Sequence, residues 1–300
     1  MKSSREFQQT YNIGSLISLS KMTTRAVRGA VGTKSSPVKT QFQFGPWTLS
    51  AVKSHILESE GEVREKFENQ LELPQVPEMI FAENILRVQH SAGYGIEFNA
   101  LDALKLVDAH HDPLKVAVAE AWKEARSECE HINEVVKRFD WTFTTPYKGT
   151  LLGEGSTELK VEATDERIDI EKLKVREKIH FYEDILLFED ELSDNGSSLI
   201  NVKIRVMPTS FFILLRQFMR VDSVILRILD TRIYHEAGKN YILREHCIKE
   251  AKAEDVQVPP HIVTDPNEMS RLLPVKTETF EKLIFPEQSS QQSDSHDAIR

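Results

Sequence analysis

The sequence predicts an α+β fold, a single domain built on antiparallel β-sheet in two layers with a few short helices. Three observations carry this. Leu199 to Glu250 reads as four strands in succession, short strand and helix patterns mix elsewhere, and no internal repeat or long linker divides residues 41 to 287.

In chain order, Glu60 to Leu71 has helical spacing through Val63, Phe67 and Leu71, and Pro74 and Pro77 then impose an extended connector. Ile85–Gln89 and Tyr94–Phe98 make a hairpin around Gly93. Asn99 can cap a helix running through Val107, and Leu114 to Arg126 has the pattern of another that buries Trp122. Trp141–Thr145 and Leu159–Ala163 read as strands, Ile170–Leu173 as a helical turn, and Ile179–Phe188 as a further strand. Val202, Ile204 and Val206 then alternate with Lys203 and Arg205, which predicts a strand wet on one face, and Pro208 ends it. Phe211–Leu215 is an unbroken apolar run suited to a strand covered on both faces. Val224–Tyr234 and Tyr241–Ile248 complete the set, with turns at Asp222-Ser223 and Gly238-Lys239-Asn240.

Composition bounds the function. The 300 residues are 40% hydrophobic, enough for a sizeable core, and the formal net charge is −9. Residues 1 to 40 carry seven Lys and Arg against the single acid Glu6, so the remainder is strongly acidic and a poor partner for nucleic acid. That Ser/Thr-rich arm shares its composition with mitochondrial presequences. It lacks a clean amphipathic helix, however, and reads as a disordered basic arm, as the Ser/Gln/Asp-rich stretch 288 to 300 reads as a disordered tail. Cys129 and Cys247 are too few and too far apart for a disulfide framework, which fits a reducing compartment. No window approaches the 18 or so apolar residues of a membrane span.

No motif compels a chemistry. His110-His111-Asp112 offers metal donors without a second pair at helical spacing. Glu189, Asp190, Glu191 and Asp194 could serve a metal-dependent enzyme, but they lack the spacing of a calcium loop, and Asp194-Asn195-Gly196 reads as a turn between strands. Gly93-Tyr94-Gly95 and Gly153-Glu154-Gly155 are turns rather than phosphate loops. His90, His180 and His235 fall in or beside strands and read as hydrogen-bonded structural histidines. Arg216 and Arg220 among Phe211, Phe212 and Phe218 suit a core strand better than a nucleic-acid platform. The residues themselves therefore point to no catalytic group, metal or cofactor.

Blocks distributed in order from about residue 42 to residue 287 resemble the TOR signalling pathway regulator-like family, TIPRL, the Tap-interacting proteins that bind phosphatase catalytic subunits. The most distinctive are Phe44-Gly45-Pro46-Trp47, Tyr147 to Glu154, Leu186 to Leu192, Val202 to Pro208, Asp230-Thr231-Arg232 and Lys282 to Glu287. The resemblance implies a non-enzymatic, cytoplasmic regulator, with the nucleus as a second location. It would bind, and modulate or inhibit, the catalytic subunits of type 2A-like serine/threonine protein phosphatases within TOR signalling, taking neither nucleic acid nor membrane as partner. It also implies an α+β fold whose cleft receives the subunit's C-terminal tail, with Asp102, Ile168, Ile228 and Asp230 at the contact. Ile228 stands where the family pattern has methionine. On these positions Ile168 and Ile228 could wall an apolar pocket, Asp102 and Asp230 could accept hydrogen bonds from the tail backbone, and Arg205 or Arg227 could pair with its terminal carboxylate.

Overall fold

The computed structural model describes residues 36–108 and 140–286. Among these residues the strands form two antiparallel sheets. The first holds β1 (Val38–Phe44), β2 (Trp47–Lys53), β4 (Ile85–His90), β5 (Gly95–Asn99) and β6 (Thr150–Leu152), in that spatial order. The second runs β3 (Met79–Ile80), β8 (Phe181–Asp190), β9 (Gly196–Val206), β10 (Ser210–Val221), β11 (Ile225–Glu236), β12 (Tyr241–Lys252), β13 (Val275–Ile284) and β7 (Lys160–Ala163). The antiparallel α+β expectation holds. The helices are short: α1 (Glu62–Glu68), α2 (Ala100–Lys105), α3 (Ile170–Lys174), α4 (Pro260–Val263) and α5 (Pro266–Leu272).

The long strands β9 to β12 are the four read from the sequence, joined by the predicted turns. Their alternation explains the layering. Ile200, Val202, Ile204, Phe211, Ile213 and Ile233 point to one face and pack with Leu49, Leu86, Val88 and Ile96 of the first sheet, so the main core fills the space between the layers. The opposite, outer face of the second sheet carries two smaller clusters. Phe218, Leu226 and Ile228 lie under Met269 and Leu273 at one end, and Ile168 packs on Tyr234 and Leu243 at the other.

Four expectations need correction. Phe211–Leu215 is not covered on both faces, because Phe212 and Leu214 stay partly exposed on the outer side; double coverage begins at Arg216. Trp141–Thr145 joins no ladder. Phe143 turns into left-handed backbone (φ 52°), and the buried Gln217 takes the place of a strand partner, accepting from Thr145 N (2.9 Å) and donating to Phe143 O (2.7 Å). Val63 is exposed, leaving Phe67 and Leu71 as the buried face around α1. β1 opens at Val38, within the stretch read as arm. The Leu114–Arg126 helix, His110-His111-Asp112 and Cys129 lie outside the described residues, as does most of the arm and the tail beyond Pro286.

Candidate functional site

Ile228, Asp230, Arg232 and Tyr234 alternate along β11 and project together from the outer face of the second sheet. Asp230 faces Arg216 across the β10–β11 ladder, a register centred on the Ser223 turn. Arg216 grips the Asp230 carboxylate with two parallel bonds, Nε to Oδ1 at 2.6 Å and Nη2 to Oδ2 at 2.7 Å, and Ser270 Oγ adds a third at 3.1 Å. The remaining guanidinium nitrogen, Nη1, donates to Pro266 O (3.2 Å) and Asn267 Oδ1 (2.9 Å), which ties α5 to the sheet. Asp265 caps α5 by accepting from Asn267 N and Glu268 N, with Pro266 in its first turn. Burial would raise the Asp230 carboxyl, but Arg216, with Arg232 and Ser270, outweighs it and holds the group below the ordinary aspartate range. Asp230 is only 1% exposed and already accepts three hydrogen bonds, so it is an anchor of the outer face rather than a free acceptor.

Ile228 is fully buried beneath α5, and Ile168 is 3% exposed beside α3, where its N–H donates to Glu245 Oε1 at 2.7 Å. Both are wall residues. Between these flanking segments, the outer face of the sheet leaves Leu214 and Arg232 partly exposed over about six residues of strand, roughly 20 Å, an open strip (the trough) with α3 at one end and α5 at the other.

Arg205 and Arg227, paired above as candidates, separate here. Arg227 lies on the inner side and is bound to Glu250 (2.5 Å), with Nη1 reaching Thr144 Oγ1. Arg205 belongs to the outer face. It donates Nη2 to Leu173 O (3.1 Å), lies 5.3 Å from the Phe212 ring centroid, has a buried and unpartnered Nε, and makes no ion pair among the described residues. Burial lowers its pKa, the mark of a charge taken from water without a counter-ion.

Asp102 stands apart. Its Oδ2 accepts from Asn99 Nδ2 (2.9 Å) and Thr150 Oγ1 (2.6 Å), which fastens α2 to β6, and Asn99 caps α2 as the sequence predicts. A cavity of about 410 Å³ opens beside it, bordered by Lys105, Lys148 and Arg244. Arg244 is three residues from Cys247, the ladder partner of Asp230, and therefore faces the other side of the sheet. The structure thus brings Ile168, Ile228 and Asp230 to one face and leaves Asp102 off it.

The acidic group near Glu189 does not gather. Asp190 spends its carboxylate on Glu78 N (2.9 Å) and Leu192 N (2.6 Å), bracing the β8–β9 turn, and no cluster of three metal-donor residues occurs among the described residues. The residues that sequence reasoning missed are Arg216 and Ser270. Folding the strands about Asp222-Ser223 would have placed Arg216 opposite Asp230, whereas nothing local marks Ser270.

Comparison of the sequence with known proteins gives its family. The model of the TIP41-like family matches residues 79–257. A TIP41-like protein of Homo sapiens is 57% identical over 247 residues, covering 82% of this chain and 90% of its own length. One from Dictyostelium discoideum is 40% identical over 268 residues, covering 85% and 96%. The protein of Saccharomyces cerevisiae named "Type 2A phosphatase activator TIP41" is 41% identical over 227 residues, 70% of this chain and 62% of its own. With a family model spanning more than half the sequence and relatives matched nearly end to end, the chain belongs to the TIP41-like family.

Proposed function

We propose that this protein is a non-enzymatic regulator of type 2A-like serine/threonine protein phosphatases. In this reading it binds the catalytic subunit within TOR signalling, in the cytoplasm and also the nucleus, and holds the subunit's C-terminal tail in the outer-face trough. The observation that carries the reading is the likeness to relatives in two yeasts named as type 2A phosphatase activators. The trough suits an extended peptide. Strand-spaced positions line it, Ile168 and Ile228 back its two ends, and Arg205 offers a desolvated guanidinium that lacks a carboxylate, the group a chain terminus would supply.

The test is calorimetric titration with a type 2A catalytic subunit, intact and lacking its last few residues, against the wild-type chain and Arg205→Gln. Each change weakens binding about tenfold or more if the terminal carboxylate meets Arg205. No binding of the intact subunit removes the reading, and undiminished binding of the truncated one removes the trough from it. A phosphatase assay on the same samples gives the direction of regulation: the yeast names predict a rise, and an inhibitor produces a fall.

A further inference from the structure

A cavity of about 720 Å³ opens where the β1–β2, β9–β10 and β11–β12 turns meet Phe285 and Pro286, on the inner side of the second sheet and separate from the trough. Turn residues form its rim, and behind them lies a set of rings packed on one another, with Trp47, Tyr94 and His235 only 1–3% exposed. Trp47 meets Phe285 at 5.4 Å, His90 at 4.9 Å and His235 at 5.4 Å between centroids, and Tyr94 stacks on His90 at 4.4 Å with 8° between planes. Such a volume is that of a ligand site, and nothing in the trough reading uses it.

The two histidines give the cavity a polar code. His90 Nδ1 accepts from Ala92 N at 3.1 Å, so this nitrogen carries no proton and Nε2 is the N–H donor. His235 Nδ1 lies 3.0 Å from Tyr241 O, a carbonyl that can only accept, so the proton is on Nδ1. Burial pushes both imidazoles below the ordinary histidine value, which keeps them neutral near pH 7 and leaves His235 Nε2 a bare acceptor. Neither Nε2 has a hydrogen-bond partner among the described residues. Two residues that border the same cavity thus carry one spare donor, on His90, and one spare acceptor, on His235.

We propose that this cavity is a docking site for a tyrosyl side chain of a polypeptide partner. A phenol ring packs against that set of rings, its hydroxyl donates to His235 Nε2, and the same oxygen accepts from His90 Nε2–H. Among the described residues no carboxylate lines the cavity, and Lys239 stands on its rim, which disfavours a cationic guest. The space is several times that of one phenol ring, and the exposed Asn240 beside Lys239 can meet a peptide backbone, which favours a tyrosine within a chain over a free phenol.

The test is a titration of the full chain, followed by the NMR shifts of the Trp47 indole N–H and the histidine rings. The probes are p-cresol, 4-methylanisole, toluene, and the capped peptides Gly-Tyr-Gly and Gly-Phe-Gly. Expected are binding of p-cresol, roughly tenfold weaker binding of 4-methylanisole, which cannot donate, and tighter binding of the tyrosyl peptide than of p-cresol or the phenylalanyl peptide. His235→Phe, checked for an intact unfolding transition, should erase the preference for p-cresol over toluene. Should it unfold, the probe series on the wild-type chain decides alone. Equal binding of p-cresol and toluene overturns the hydrogen-bond code, p-cresol binding without peptide binding overturns the polypeptide partner, and no binding of any probe overturns the site.

Discussion

The Asp230 carboxylate shows how a buried ion pair confuses a binding test. Removing it leaves Arg216 charged, desolvated and without its counter-ion, so Asp230→Leu should cost about 3–5 kcal/mol of stability by urea denaturation. The double replacement Asp230→Leu with Arg216→Met should recover most of that loss, and a cycle without recovery would disprove the pairing argument. Arg205→Gln is the cleaner probe of the trough because Arg205 has no ion partner among the described residues to orphan. A second buried group sets an acid limit. Burial, with Lys148 and Arg244 nearby, pushes His246 down to about 4, and Thr231 Oγ1 holds its ring at 2.8 Å. Because the folded value lies below the unfolded value near 6.5, the stabilisation is complete above pH 6.5 and is lost as pH falls towards 4. Unfolding free energy should drop by roughly 3 kcal/mol over that window, and His246→Asn should flatten the slope. At this scale the sequence was legible only in part. The family resemblance located Asp230 and Ile228, but their burial under α5 depends on Ser270 and Met269, some forty residues further on, a contact that only tertiary folding creates.

Among the elements, legibility followed the apolar alternation. β9 could be read because its inward residues Ile200, Val202, Ile204 and Val206 are apolar at every second position. β10 to β12 could be read because apolar and β-branched runs stand between turn signals, although the inward faces of β11 and β12 also carry Arg227, Thr231, His235, Arg244 and His246. β1 and β2 follow the same rule through Phe42, Phe44, Trp47, Leu49 and Ala51, so that hairpin was present as a signal and passed over. β13 could not be read this way: its first five residues are exposed, including Lys276 and Glu278, and its ladders with β12 and β7 make it a strand. Trp141–Thr145 failed for the reverse reason, since a side chain, Gln217, rather than a backbone supplies its partners. The β8–β9 turn stores strain, with Leu192, Ser193 and Asp194 all left-handed at φ 53°, 55° and 62°. Ser193 is exposed, so Ser193→Gly should stabilise the protein by about 1 kcal/mol, visible as a higher denaturation midpoint; a lower one would mean the serine is held by more than its backbone.

The whole molecule has one main core drawn from both sheets, so the layers should melt together. Leu49→Ala in β2 and Ile213→Ala in β10 should each cost about 2–5 kcal/mol and shift the same calorimetric transition, whereas two separate peaks would show that the sheets fold independently. The larger sheet ends in very short strands, with two residues in β3 and four in β7, and β7 pairs only with the last part of β13. Among the described residues no strand pairs Val275–Thr279 on that side, and Lys276 and Glu278 stand along this flank. Charges on an exposed strand edge disfavour pairing with strands of neighbouring molecules. A chain with both replaced by valine would keep its fold yet carry a ready template for fibre growth, so the barrier to aggregation rests on a pair of surface side chains rather than on the depth of the core.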